Sequence, residues 1–559
     1  MNLRHVLLIG GVLGTLVLVP PVALAQDTTE TEPAAADLVN PVADDLADSD
    51  DPMDSEDKKP DSAEEDSPDG NGAEASPTET SPQDITPGDS SMETTPLEDF
   101  GIENPPLEEI PLETGAEGEA EPTAEETVDP RVAAVEALNQ GIERYNAQNY
   151  TEALEFFTAA LTLDPGNANA YLYRGLTFSQ QGQDDLALTD LNRAIALAPS
   201  NATAYLARGT VFYRQGEIAQ AQADFNTALT LDSGTVNAYL YRGLIDAEQG
   251  RQDLALEDFS AALALNPNLA SAYLLRGFAH ESLGNYPDAV TDFSRAIELQ
   301  GDLARAYMGR GVAHYRLGLY DVALNDLNEA INRNNQLASG YLNRSHVYFR
   351  QGRPTRALQD LDRAIELNPQ LAEAYLSRGT IRASQGNLRG AEQDFAQVLQ
   401  LNPDSAVAYK QKGDVMQRAG NPMAAIDSYT EALFIDPTYV EAYLARGEVR
   451  MATGDPFGAI DDYSQALAVQ PNNLDAYAAR GSAYLMVGQA QNAFDDLSQA
   501  ILQGPNQSNP DLFFNRGLVR ARLGDSTGAR RDFEQAANLY LQQGNAAGYR
   551  QTLDQMRNL

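Results

Sequence analysis

The sequence predicts an all-α solenoid of about twelve 34-residue helix–turn–helix repeats, preceded by a signal peptide and a disordered acidic segment. Three observations carry this expectation. An Arg-Gly dipeptide recurs every 34 residues, at Arg174-Gly175, Arg208-Gly209, Arg242-Gly243, Arg276-Gly277 and Arg310-Gly311, and returns at Arg378, Arg446 and Arg480. Counting each repeat from position 1, eleven units start in unbroken register at 134, 168, 202, 236, 270, 304, 338, 372, 406, 440 and 474. Position 20 is Ala in every unit, from Ala153 and Ala187 onward, and position 8 is Gly except at Ser345.

Each repeat reads as two helices. Apolar residues at positions 4, 5, 8, 11 and 12 form a helical stripe, as in Tyr171, Leu172, Gly175 and Phe178. Gly in mid-helix costs about 1 kcal/mol relative to Ala, so its recurrence at position 8 implies close approach of a second helix against the Ala at position 20. Gly at position 15, as at Gly182, Gly216 and Gly250, suits the left-handed residue that ends the first helix. Asn421-Pro422 and Asp455-Pro456 place a capping side chain before a Pro in the first turn of the second helix. Pro at position 32, as at Pro165 and Pro199, closes that helix. A two-residue insertion near Gln507 shifts the twelfth unit to 510.

The expected organisation is a signal peptide at 1–25, an acidic linker at 26–133, the repeat array at 134–543 and a capping helix at 544–559. Arg4 and His5 open a short basic region, Val6 to Val19 is apolar, and Ala23-Leu24-Ala25 supplies a cleavage site, so export to the periplasm, cell envelope or exterior is expected. No stable membrane span is expected after cleavage, because the apolar run is shorter than the roughly 20 residues that cross a bilayer. Residues 27–130 hold 34 Asp and Glu against Lys58 and Lys59, a composition that cannot offset chain entropy by burial. The net charge of −44 argues against nucleic acid as a partner. There is no Cys, which removes disulfides, thiol nucleophiles and thiolate metal sites. Tyr549, Leu553 and Met556 form one stripe in the tail, as a helix covering the open end of the array would need.

The pattern resembles the tetratricopeptide repeat, a 34-residue unit with W-x2-L-G-x2-Y followed by A-x3-F and P. Here Tyr stands for Trp at position 4 (Tyr171, Tyr205, Tyr239), Arg for Leu at position 7, and Phe, Tyr or Leu fills position 24, as at Phe157, Phe225, Phe259 and Tyr429. The resemblance covers about 134–543 and implies a right-handed superhelix whose first helices line a concave groove that binds peptides or proteins. It implies groove lining at positions 2, 5, 9, 12 and 13. In repeats five to seven these positions include Phe278, Arg305, Met308, Val312, Tyr315, Arg316, His346, Phe349 and Arg350. Residues 304–357 carry eight Arg against Asp321, Asp326 and Glu329, so a partner with an acidic segment is expected there. The Lys and Asn set of the carboxylate-clamp subfamily is not carried over.

Asp stands at position 23 in most repeats, which pairs it with the Arg at position 7 in an expected structural ladder: Arg174 with Asp190, Arg208 with Asp224, Arg242 with Asp258, Arg276 with Asp292. His280 and His314 share position 11, a core-facing site, and no carboxylate is read at ligand spacing beside them, so no metal is expected. No phosphate loop, nucleophile elbow or paired His on a helix occurs, so neither catalysis nor a cofactor is expected. The leading expectation is a non-catalytic exported scaffold that binds a protein or peptide. The alternatives are an accessory subunit of an envelope secretion or polysaccharide-assembly machine, and an acidic spacer that binds cations weakly.

Overall fold

The computed structural model describes residues 129–502 and 508–559. The expected signal peptide, nearly all of the acidic linker and the insertion near Gln507 lie outside the described residues. The described residues form twenty-five helices and no strand, from α1 (Pro130–Asn146) to α25 (Ala546–Arg557). Odd and even helices alternate as the first (A) and second (B) members of hairpins, typically of 13 and 14 residues. Each B helix packs on its own A helix and on the next one, and neighbouring A helices also touch along most of the array. Helix α1 begins at Pro130, ahead of repeat position 1 at 134, because Asp129 caps it and Pro130 fits its first turn.

The small residue at position 8 has a measurable reason. A Cβ on Gly209 or Gly243 would stand 2.7 Å from the Cε1 of Phe225 or Phe259, the residue at position 24 of the same repeat. Where position 24 is Leu, as opposite Gly175 and Gly311, the Cβ would stand 2.9 Å from the Leu Cγ. The B-helix side chain therefore fills the volume that the glycine leaves. Phe157, Phe225, Phe259, Phe293, Phe395 and Phe533 are all buried this way, each contributing about 1.5–3 kcal/mol of transfer free energy.

Position 15 is left-handed in every repeat, with φ between +69° and +85° at Gly182 through Gly524. The first repeat has Gln148 there, at φ 59°. A residue with Cβ pays conformational strain in that region, whereas Gly loses some backbone entropy instead. Gln148→Gly is therefore expected to stabilise the first hairpin by about 0.5–1 kcal/mol. Urea unfolding would show it as a raised midpoint; an unchanged midpoint would contradict it.

The array ends on α25, where Tyr549 and Met556 pack against the last hydrophobic cluster around Phe533 and Tyr540. Asn545 caps this helix by accepting from Gly548 N.

Candidate functional site

The arginine at position 7 is held on three sides. In ten repeats its Nε and Nη2 donate to the two carboxylate oxygens at position 23, as in Arg174 to Asp190 at 2.7 and 2.9 Å and Arg208 to Asp224 at 2.8 Å each. Arg242–Asp258 and Arg276–Asp292 repeat the pair. Its guanidinium carbon lies 5.4 to 5.9 Å from the centroid of the aromatic ring at position 4, which explains why Tyr suits that position. Its Nη1 reaches back to the preceding B helix, to Asn192 from Arg208 at 2.7 Å and to Asn226 from Arg242 at 2.8 Å. This third arm ties nine of these ten repeats to their predecessors. Nothing in the spacing of Arg and Asp alone points to it. Repeat nine has Lys412 and Ser428 at these positions and makes no such pair; there Tyr429 Oη donates to Asp414 and Gln417.

The histidines at position 11 do have a carboxylate beside them, which corrects the sequence reading. His314 Nδ1 lies 2.9 Å from Asp326 Oδ2, and His280 Nε2 lies 3.8 Å from Asp292 Oδ2. The carboxylate arrives from the B helix, twelve residues on, where linear spacing does not reveal it. Arg382 and Arg450 occupy the same position and reach Asp394 and Asp462 at 2.7 and 2.8 Å. Position 11 thus supplies a second hydrogen-bond partner to the ladder carboxylate. Among the described residues no group of three His, Asp or Glu comes together as a metal site.

The expected groove residues divide into two sets. Phe278, Met308, Val312, Tyr315 and His346 are buried, so they face packed protein and not an open groove. This corrects their assignment to ligand contact. Phe278 packs edge-on against Phe293 with centroids 5.0 Å apart, and Met308, Tyr315 and Val347 share one core cluster. The physical reason is the close approach of successive A helices in this part of the array, which seals positions 5 and 9. Arg316 is exposed, whereas Arg305, Phe349 and Arg350 are half-buried. The Arg305 guanidinium rests over the Phe278 ring at 5.6 Å.

Burial, with the Arg316 charge nearby, lowers the His346 pKa to about 3, and its Nε2 lies 3.0 Å from Ser377 Oγ. The folded state therefore keeps this imidazole neutral while the unfolded chain protonates it near the ordinary histidine value of about 6.5. Because the folded pKa is the lower one, its contribution is complete above about 6.5 and is lost as pH falls toward about 3. His346→Gln is expected to flatten the fall in stability between pH 6.5 and pH 4, read from urea midpoints. An unchanged slope would contradict this.

The exposed arginines gather elsewhere, on the edge formed by the A–B turns. There the end of each A helix meets the start of its B helix, and turns of successive repeats touch: Gln351 Nε2 donates to Asp321 at 2.9 Å, and Arg214 pairs with Asp184. Repeats six to nine place Arg316, Arg350, Arg353, Arg356, Arg389 and Arg418 on this edge, with Asp321 as its acidic residue. Arg214 and Arg251, on the same edge of repeats three and four, are neutralised by Asp184 and Asp246. Among the described residues no carboxylate forms an ion pair with Arg350, Arg353, Arg356, Arg389 or Arg418. Arg350 bonds the Tyr315 hydroxyl, and Arg356 lies 5.7 Å over the Tyr348 ring.

Comparison with known families decides the lineage of this scaffold. Models described as TPR repeat match residues 177–216 and 243–284, and models described as Tetratricopeptide repeat match 202–235, 274–338, 345–412, 410–473 and 444–509. The chain belongs to the tetratricopeptide repeat family. It is similar to a tetratricopeptide repeat protein from Parabacteroides merdae, with 24% identity over 44% of this chain and 98% of that one and a TM-score of 0.39. It is also similar to YrrB, described as a TPR protein with an unusual peptide-binding site, with 26% identity over 34% and 96% of the two chains and a TM-score of 0.28. A third similar structure is MamA, with 25% identity over 30% and 96% and a TM-score of 0.27. No curated protein sequence matched.

Within this tetratricopeptide array the inner positions open only toward the C-terminal half. Positions 5 and 9 are buried in repeats one to seven, but Lys410, Asp414, Leu444, Ala478 and Ser482 are half-exposed and Glu448 is exposed. Lys410 pairs with Asp414 at 3.0 Å. The signal was present in the sequence, where the mainly large apolar residues at these positions give way to Lys410, Asp414, Glu448, Ala478 and Ser482 in repeats nine to eleven, with Leu444 retained.

Proposed function

We propose that the chain is a non-catalytic, exported scaffold that binds an acidic segment of a protein partner along the A–B turn edge of repeats six to nine. The family's common role as an interaction scaffold supports the general reading. One observation carries the specific one: five guanidinium groups without a carboxylate partner stand in a row on a protein of net charge −44. Guanidinium forks match carboxylates in two-point geometry, so a chain of Glu or Asp side chains is the complementary ligand. Export rests on residues 1–25, and the cell envelope is the proposed location.

The test uses a fluorescent peptide of Glu and Asp residues and the full chain. The substitutions Arg350→Gln, Arg353→Gln, Arg356→Gln, Arg389→Gln and Arg418→Gln together are expected to weaken binding at least about 5-fold, since each surface charge contributes about 0.2–1 kcal/mol. Binding of the original chain should fall as salt rises. Equal affinity of the two proteins would overturn the assignment of the edge.

A further inference from the structure

We infer that the partner's acidic segment is continued by large apolar side chains, which dock on Met423 and Phe457 beside the arginine row. The inference rests on the edge of repeats six to nine being a site for acidic chain. It adds a second determinant of the partner, on repeats nine and ten. Position 18 is the second residue of each B helix and so lies on the A–B turn edge, as in α16 (Leu388–Leu401), α18 (Pro422–Ile435) and α20 (Pro456–Val469). In repeats eight, nine and ten it is Arg389, Met423 and Phe457, one line of side chains from consecutive units. In every other unit it is Thr, Asp, Ala, Pro or Gln. Asp suits this turn, because a helix N-terminus favours negative charge, and Asp185, Asp253 and Asp321 use it. Met423 and Phe457 forgo that and gain little burial, each being 63% exposed. Elsewhere the turn carries its large apolar residue at position 19, as Leu186, Leu254 and Val322, where Ala424 and Gly458 stand in repeats nine and ten.

The charges on this edge fix which part of the ligand goes where. Arg350, Arg353, Arg356 and Arg389 stand in repeats seven and eight, with Arg418 at the end of α17 (Ala406–Arg418). Asp427 and Asp461, one helical turn after Met423 and Phe457, and the capping Asp455 are exposed. A run of Glu and Asp is repelled there, so it belongs over repeats seven and eight, with the apolar residues over nine and ten. Neighbouring A helices touch, which spaces the repeats about 10 Å apart. An extended segment advances about 3.3 Å per residue, so about six residues beyond the acidic run cover repeats nine and ten. Phe and Met are residue types enriched in interfaces, and covering them removes apolar surface from water without any counter-charge. The complementary ligand is acidic at one end and apolar at the other, which a uniformly charged polyanion does not match.

Three fluorescent peptides on the full chain test this: the Glu and Asp run alone, and the same run extended at either end by six residues of Phe, Leu and Ser. One of the two extended peptides is expected to bind about 10-fold more tightly than the run alone, the gain from covering one large apolar side chain. Met423→Thr with Phe457→Thr should erase that gain and leave the affinity for the run alone unchanged. Thr already stands at this position as Thr355 and Thr527, so the fold accommodates it. Phe434→Thr, at the far end of α18 and equally open to water, should leave the gain as it is. If the run depends on the arginines but neither extended peptide binds better, the inference is overturned and the edge stands as an acidic site. A gain that survives the two Thr substitutions would overturn it too, because the apolar contact then lies elsewhere. Binding of all three peptides that ignores the five arginines would overturn the edge reading itself, and this inference with it. Sedimentation of the chain alone is expected to be the same before and after the two Thr substitutions. Self-association abolished by them would make a second copy the occupant and overturn the assignment to a partner.

Discussion

Gly277→Ser is expected to destabilise the array by about 1–3 kcal/mol, the range for overpacking a filled core. A Cβ at Gly277 would stand 2.7 and 2.8 Å from the Cε1 and Cδ1 of Phe293. That ring has little room to move, because it is fully buried and also lies against Gly309 of the next repeat and edge-on to Phe278. The seventh repeat supplies the control. It carries Ser345 where others have Gly, opposite Leu361, the smaller of the side-chain types found at position 24. Adding Phe293→Leu to Gly277→Ser should therefore cost at least about 1 kcal/mol less than the two changes summed. Urea unfolding of the four proteins measures the coupling. Strict additivity would show that the glycine serves helix flexibility and not the volume of position 24.

Asp292→Ala should cost about 3 kcal/mol, the lower end of what breaking a buried ion pair costs. The Asp292 side chain is 5% exposed and Arg276 is 24% exposed, so water compensates only part of the loss. Both Arg276 nitrogens that now face Asp292 lose their acceptor, and His280 loses its nearby carboxylate. Arg276 also donates to Ser260 of the preceding repeat at 3.3 Å, so the damage should extend across the boundary between repeats four and five. Hydrogen exchange should quicken in both repeats. Glu298→Gln, which removes a surface pair with Arg295, is the matched control and should leave the midpoint unchanged. A loss confined to repeat five would contradict the ladder as a link between repeats.

Most of the fold was legible because every repeat poses the same packing problem. Gly at position 8, Ala at 20 and an aromatic at 24 are three statements of one contact, and Gly at 15 marks one backbone conformation. The site was legible only in part. Net charge over 304–357 pointed to repeats six and seven, but five of the nine residues placed in a groove across repeats five to seven, Phe278 among them, are core. Position within a repeat says which way a side chain points; it does not say how tightly the next A helix closes over it. Arg389 and Arg418 were missed for a related reason. They lie far from Arg353 in sequence and join it only where turns of successive repeats stack on one edge.

Hydrogen–deuterium exchange on the full chain, with and without the Glu and Asp peptide, tests the central claim most directly. An acidic ligand bound to the arginine edge should slow exchange in the turns at 350–357 and 384–390 and leave the inner face at 440–452 as it was. Slowed exchange confined to 440–452 and 474–486 would place the ligand on the inner positions around Leu444 and Glu448 and contradict the edge as the binding surface.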